Sequence, residues 1–331
     1  MSLREKMDKM KVLANDGISQ AGIDTLEAAG YTVITTKVNQ EDLAETINRE
    51  NIEVLLVRSA TTARKELIDA CPNLQLIGRG GVGMDNIDVA YAREIGRTVI
   101  NTPAASSQSV AELVLGHLCA ISRSLHDSYK NMETGDFNTL KKQYGKGVEL
   151  RGKTLAIIGF GRIGQSLASY AIGCGMNVVA VDMVANPCKI DLQLGNGVDA
   201  SVEITPTTNL VEGISSADFI SIHVPKQADG SAVFGAKEFA LMKDDVRIVN
   251  AARGGVIDED ALLAALDSGK VAAIGLDVFE DEPNPRKDLL NHPKIACTPH
   301  IGAATLEAQN RIGTELADLI IAKIGVLSSV R

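Results

Sequence analysis

Residues 155–182 read LAIIGFGRIGQSLASYAIGCGMNVVAVD, and they constrain the fold more tightly than any other stretch. Leu155–Ile158 is an apolar run of the kind that forms a buried parallel strand. It leads into Gly159-Phe160-Gly161-Arg162-Ile163-Gly164, then a helical stretch, then a second apolar run, Val178–Val181, closed by Asp182. This order is the β-turn-α-β unit that holds a dinucleotide. Gly159 permits the tight turn, Gly161 lets the backbone approach a pyrophosphate, and Gly164 lets helix and strand pack closely. The first helical N–H groups face the phosphates. A glycine-rich turn alone is often only a turn; strand, helix, strand and terminal acid together are specific. Asp182 stands where a carboxylate accepts ribose hydroxyls and repels a 2′-phosphate, which favours NAD over NADP.

The 331 residues suffice for about two domains. Only 3% are aromatic while 45% are hydrophobic, so the core is aliphatic, as in parallel α/β sheets. A net charge of −9 argues against a nucleic-acid surface. No apolar run reaches membrane-spanning length. The first ten residues, MSLREKMDKM, lack the apolar segment of a secretory signal and read partly as an expression leader. Five scattered cysteines without a C-x-x-C pair suit free thiols in a reducing cytoplasm. No metal-ligand spacing is present.

The first hundred residues alternate strand and helix. Strands are expected at Lys11–Ala14, Tyr31–Thr35, Val54–Val57, Leu74–Gly78 and Thr98–Ile100. Helices are expected at Ser19–Ala29, Glu41–Glu50, Glu66–Ala70 and Asp88–Glu94. A long helix follows over Ser107–Leu125, with Val110, Leu113, Val114, His117 and Ile121 on one face. Asn131–Leu150 is polar and aperiodic and reads as a surface loop. Later strands fit Phe219–His223, Arg247–Asn250, Ala273–Leu276 and Lys294–Thr298; helices fit Ala236–Leu241, Asp258–Ser268 and Thr305–Ile324. The fold class is therefore α/β, with two doubly wound parallel-sheet domains, Rossmann-like or flavodoxin-like. The expected boundaries are 1–103 with 299–331 for a discontinuous first domain, and 104–298 for the dinucleotide domain.

Arg253, Asp277, Glu282 and His300 all fall at or just past strand C-terminal ends, the edge where open parallel sheets bind ligands. Their chemistry is coherent. Reduction of a 2-oxo acid needs a hydride and a proton. A histidine supplies the proton near neutral pH, a carboxylate stabilises the imidazolium, and an arginine fork holds a substrate carboxylate. His300 is the expected acid/base, Glu282 its partner, Arg253 the clamp, and Asp277 an orienting group. Taken singly, each also has an ordinary structural reading as a turn, cap or solvated loop residue.

Five ordered motifs extend the pattern: GFGRIG with Asp182, HVP at 223–225, NAARGGVIDEDAL at 250–262, GLDVFEDEP at 275–283 and TPHIGAAT at 298–305. Through them the chain resembles the D-isomer-specific 2-hydroxyacid dehydrogenases over nearly its whole length. The resemblance implies NAD-dependent oxidoreduction, with catalytic Arg253, Glu282 and His300 in a cleft between two domains. It places Gly159, Gly161, Arg162, Ile163, Gly164, Asp182, His223, Val224, Pro225, Ala251 and Asp277 on the cofactor. It also implies a homodimer with the Ser107–Leu125 helix near its interface.

The N-terminal motifs LLVRSAT at 55–61, GRGGVGMDNIDV at 78–89 and NTPAASSQSVAEL at 101–113 are most similar to the branch acting on 3-phosphoglycerate, at the head of serine synthesis. That branch places Arg58, Ser59 and Arg79 at the phosphate end of the substrate and Gly81, Val82 and Gly83 at its carboxylate. Lys141-Lys142 reads either as added charge near the cleft or as plain surface, with surface preferred. Two readings compete: a glyoxylate or hydroxypyruvate reductase, which needs no phosphate site, and an NAD-sensing binding protein like the superfamily's corepressors. Asn186–Asn209 is longer than the family pattern, and the chain ends soon after its last helix, so no feedback through a C-terminal regulatory domain is expected.

Overall fold

The computed structural model describes residues 10–325 and 327, so most of the leader reading, Met1–Lys9, lies outside the described residues. The chain divides into two compact units, the junctions falling at Ser106/Ser107 and Gly302/Ala303.

The first unit runs β1 (Lys11–Ala14), α1 (Gln20–Ala28), β2 (Thr32–Ile34), α2 (Leu43–Arg49), β3 (Ile52–Val57), α3 (Lys65–Ala70), β4 (Leu76–Arg79), α4 (Val89–Glu94) and β5 (Thr98–Asn101). Its five strands are all parallel in the order β2-β1-β3-β4-β5, the flavodoxin-like order. The two-residue period of a strand sorts its side chains between two cores. In β3, Val54 and Leu56 face one core while Leu55 and Val57 face the other.

The second unit contains α5 (Ser107–Arg123), α6 (Leu125–Asn131), α7 (Phe137–Gln143), β6 (Thr154–Ile158), α8 (Arg162–Gly173), β7 (Asn177–Val181), β8 (Cys188–Gln193), β9 (Asp199–Ile204), α9 (Leu210–Ser215), β10 (Phe219–Ile222), α10 (Ala236–Leu241), β11 (Val246–Asn250), α11 (Glu259–Asp267), β12 (Val271–Leu276), α12 (Lys287–Asn291) and β13 (Ile295–Cys297). Six parallel strands are ordered β13-β12-β11-β10-β6-β7. Thr207 adds an isolated parallel bridge to Val181, the stub of a strand beyond β7. With that stub the sheet has the Rossmann order. One core face takes Val110, Val114, Leu118 and Ile121 of α5 and Leu167, Ala168 and Ala171 of α8. The other takes Phe239, Leu262, Leu266 and Leu289 from α10, α11 and α12.

One expectation is corrected, and one stretch left open by the sequence is resolved. The segment read as a loop over Asn131–Leu150 contains α7, capped by Asp136, whose side chain accepts from the Thr139 amide. The long Asn186–Asn209 stretch is an antiparallel hairpin, β8 with β9. It is held down by Ile190 and Leu192, which alternate along β8 and are buried in the core beside α8.

The last helix, α13 (Leu306–Ile324), belongs to the first unit. Ile312, Leu316, Ala317 and Ile320 sit in the core with Leu26, Val54 and Leu56. Gly22 of α1 faces Gly313 so closely that a β-carbon on Gly22 would lie 2.7 Å from the Gly313 carbonyl oxygen. No described helix is long and apolar enough to cross a membrane. Truncating Leu316 to Ala removes methyl groups from a side chain that is 3% exposed, at a cost of about 3 kcal/mol. Hydrogen exchange should then show weakened protection of the β1 and β3 amides, with those of β6 and β10 unchanged.

Candidate active site

In the second unit the cofactor cradle is assembled where β6 ends. Gly159 has φ +90°, and a β-carbon there would lie 2.7 Å from the His223 carbonyl oxygen and 3.0 Å from Cγ1 of Val224. A β-carbon on Gly164 would lie 2.5 Å from the Gly159 carbonyl oxygen. Only glycine fits these places. Gly161 is the N-cap of α8 and no side chain caps the helix, so the first-turn amides, including those of Arg162 and Ile163, are presented to a ligand. Asp182 clamps the turn: one carboxylate oxygen accepts the Phe160 amide at 2.6 Å, the other the Met183 amide at 2.7 Å.

His223 opens the segment His223-Val224-Pro225 beyond β10. Its Nε2 lies 2.8 Å from the Ser221 hydroxyl, and its Nδ1 is enclosed without a hydrogen-bond partner. Burial pushes this imidazole down to about 4, so it is neutral at physiological pH. A neutral ring with an unmatched nitrogen beside the glycine turn suits a polar ligand.

The chemistry-bearing set lies along the same sheet edge. Asn250, buried at the end of β11, accepts the Ala252 amide at 3.0 Å and donates to the Arg253 carbonyl at 3.1 Å, bracing the turn through Ala251 that carries Arg253. His300 Nδ1 lies 2.7 Å from Glu282 Oε2, and Glu282 Oε1 accepts the Phe279 amide at 3.0 Å. Burial works to raise the Glu282 carboxyl. The hydrogen bonds from His300 and Phe279 and the charges of His300 and Arg253 outweigh it, holding the group below the usual carboxylate value. Arg253, Glu282 and His300 are thus brought together. Asp277 is fully buried behind them, accepting the Ile301 amide and the Thr298 hydroxyl on one oxygen and the Gly302 amide on the other. Cys297 ends β13 opposite Leu276, and burial pushes its thiol up to about 11.

In the first unit, Arg58 and Ser59 line a cavity of about 410 Å³ with Lys37 and Gly17. Its floor is Asp16, whose oxygens accept the Arg58 amide at 2.6 Å, the Thr61 amide at 3.0 Å, the Thr61 hydroxyl at 2.7 Å and Lys37 Nζ at 2.5 Å. Burial works to raise Asp16, and these donors more than compensate, leaving it lowered. Arg79 does not line this cavity; its Nη1 donates to the Gly80 carbonyl at 3.0 Å, beneath Gly81. Val82 and Gly83 continue that turn, with the Val82 carbonyl accepting from Asn101 at 2.7 Å. Lys141 and Lys142 are exposed in the last turn of α7. Lys37 and Asp16 were missed from sequence, although Asp16 follows a strand end just as Asp182 and Asp277 do.

The D-isomer specific 2-hydroxyacid dehydrogenase, NAD binding domain family matches residues 115–302. The hydroxypyruvate reductase of Thermotoga maritima is 41% identical over 323 residues, covering 97% of this chain and 100% of that protein. The chain belongs to the D-isomer specific 2-hydroxyacid dehydrogenase family. It is also 41% identical over 311 residues to the D-3-phosphoglycerate dehydrogenase of Methanocaldococcus jannaschii, covering 94% of this chain but only 57% of that longer protein. Among solved structures it is similar to a glyoxylate reductase from Paecilomyes thermophila, with TM-score 0.81, 29% identity and 97% of each chain covered. It is likewise similar to the D-lactate dehydrogenase of Aquifex aeolicus complexed with NAD and lactic acid, with TM-score 0.72, 28% identity, and 96% and 95% coverage. NAD is the cofactor of this dehydrogenase family, and the glycine turn, Asp182 and His223 fit it.

Two outcomes are expected. Gly164→Val should abolish NADH binding in a fluorescence titration, because its side chain occupies the Gly159 carbonyl's place. Asp16 has a folded-state pKa below its unfolded value, so it stabilises the first unit above about pH 4 and that contribution is lost as pH falls through the lower folded value. Asp16→Asn should therefore lower the melting temperature at pH 7 and narrow the difference between pH 7 and pH 3, measured by calorimetry.

Proposed function

We propose that the chain is an NAD-dependent dehydrogenase interconverting 3-phosphoglycerate and 3-phosphohydroxypyruvate in cytoplasmic serine synthesis, working as a homodimer. The observation that supports this substrate is the pair of cations, Arg58 and Lys37, on one cavity wall, held by a buried acid that fixes the Arg58 backbone. A smaller hydroxy acid has no use for them; a phosphate dianion does. In this reading Arg58 and Lys37 take the phosphate and the amides of Gly81, Val82 and Gly83 receive the carboxylate, while Arg79, expected at the phosphate end, lies outside this cavity.

The acid-base step follows from the His300–Glu282 pair. With Nδ1 engaged by Glu282, Nε2 is the nitrogen that protonates the 2-oxygen during reduction and takes that proton back during oxidation. Arg253 holds the carboxylate and polarises the 2-carbonyl. NAD, when bound, carries the hydride to or from the 2-carbon. Glu282 keeps the imidazole in the tautomer with Nε2 outward and balances its charge.

Hydroxypyruvate reduction is the second reading, favoured by the full-length match to the Thermotoga reductase. NADH oxidation with 3-phosphohydroxypyruvate, hydroxypyruvate and glyoxylate separates them. The proposal expects a strong preference for the phosphorylated acid; equal rates would overturn it in favour of the reductase. His300→Ala should lower kcat by about 10²–10⁴ while leaving NADH affinity intact. Arg58→Gln should raise KM for 3-phosphohydroxypyruvate about tenfold or more and leave that for hydroxypyruvate nearly unchanged, since a charge-assisted hydrogen bond contributes about 1.5–3 kcal/mol.

A further inference from the structure

His117 is a buried histidine that the acid-base chemistry does not use. It lies in the middle of α5, 5% exposed, with Nε2 2.9 Å from the Thr298 hydroxyl. That hydroxyl lies 2.7 Å from Asp277 Oδ1. The same Asp277 oxygen accepts the Ile301 amide at 2.8 Å, and its other oxygen accepts the Gly302 amide at 2.9 Å. These two amides follow His300 directly. His300 has φ +53°, a left-handed conformation uncommon for a residue with a side chain, which persists only where its surroundings hold it.

Proton accounting sets the direction of this chain. A carboxylate only accepts, so the single Thr298 proton goes to Asp277 and the Thr298 oxygen accepts from His117. Burial lowers the basicity of His117, Asp277 partly opposes that, and His126 adds to the lowering, so the ring is neutral at pH 7. Its one proton is therefore on Nε2. The ring is steered by Gly275 of β12, where a β-carbon would lie 2.8 Å from Cβ, Cγ and Nδ1 of His117. A helix, a strand and the His300 turn are thereby linked through one line of donors ending on a fully buried acid.

We propose that His117 and Thr298 are positioning residues, which set the Asp277 carboxylate and through it the His300 turn. The inference rests on the reading of His300 as acid/base. Losing the His117 donor frees the Thr298 hydroxyl to rotate, loosens Asp277, and lets His300 leave the geometry its proton transfer needs. Small misplacements of this kind lower turnover by about tenfold or more.

The test compares His117→Leu, Thr298→Val and the double variant of the full chain, using NADH and the best 2-oxo acid. Each single variant should lower kcat about tenfold with KM for the oxo acid within about twofold. The double should be no worse than the poorer single, since both cut one line. His117→Gln and Thr298→Ser, which restore a donor and a hydroxyl, should recover most of the rate. Hydrogen exchange of the Ile301 and Gly302 amides should quicken in His117→Leu, and ¹⁵N shifts of His117 in the parent should show a protonated Nε2. Wild-type kcat and exchange in His117→Leu, or losses that multiply in the double variant, overturn the inference. If His300→Ala is inactive while His117→Leu is unaffected, this inference alone falls. If His300→Ala retains full turnover, the acid/base reading falls and takes this one with it.

Discussion

A carboxylate removed from water is costly unless its oxygens are fully engaged, and Asp277 meets that condition with one hydroxyl and two amides. Because the acid closes β12 and its donors come from the segment after β13, satisfying it ties neighbouring strand ends together. The two amides come from the residues that follow His300, whose φ is +53°. The same contacts that make the buried acid tolerable therefore fix the backbone of that turn.

The same device recurs. Asp16, past the end of β1, gathers the Arg58 and Thr61 amides in the first unit. Asp182, past β7, gathers the Phe160 and Met183 amides in the second. In each case an acid at a strand's C-terminal end accepts backbone donors from the adjacent turn, and that turn carries a residue assigned to ligand. Parallel sheets favour this arrangement, because every strand ends on the same edge and its neighbour's turn lies within reach of a short side chain. Arg58, Phe160 and His300 are positioned by acids that need not touch a substrate.

Much of this was legible in the chain. The dinucleotide turn was readable because its glycines answer steric demands, seen in the 2.5 Å approach at Gly164. Aliphatic runs marked the central strands because burial on both faces leaves no polar alternation. The Glu282–His300 pair was expected from the chemistry of residues at strand ends and from the family resemblance, and the two side chains lie 2.7 Å apart. The hairpin was not legible: of its residues only Ile190 and Leu192 are anchored deeply, and Lys189, Asp191, Gln193, Asp199, Ser201 and Glu203 read as a polar loop. α7 was hidden in the same way, with only Leu140 buried. Lys37 escaped notice because a lysine after a strand has no periodic signature, and its meaning comes from Asp16 across the sheet. His117 and Thr298 are 181 residues apart, and no local pattern joins them.

The base of the hairpin insertion is closed. Thr207 donates to the Ala180 carbonyl at 2.9 Å, and Asp182 donates to the Thr207 carbonyl at 3.1 Å, so the chain leaves and re-enters the sheet at one point. Everything from Met183 to Pro206 is an excursion from a sealed gate. Length changes at the exposed hairpin tip, 194–198, leave Asp182 and the strand order in register, because of the hairpin strands only Ile190 and Leu192 are buried in the core. Lengthening or shortening that tip alters the surface without disturbing Asp182, whose partners are the Phe160 and Met183 amides. The same property offers a port for a grafted reporter that stands outside the six-stranded sheet.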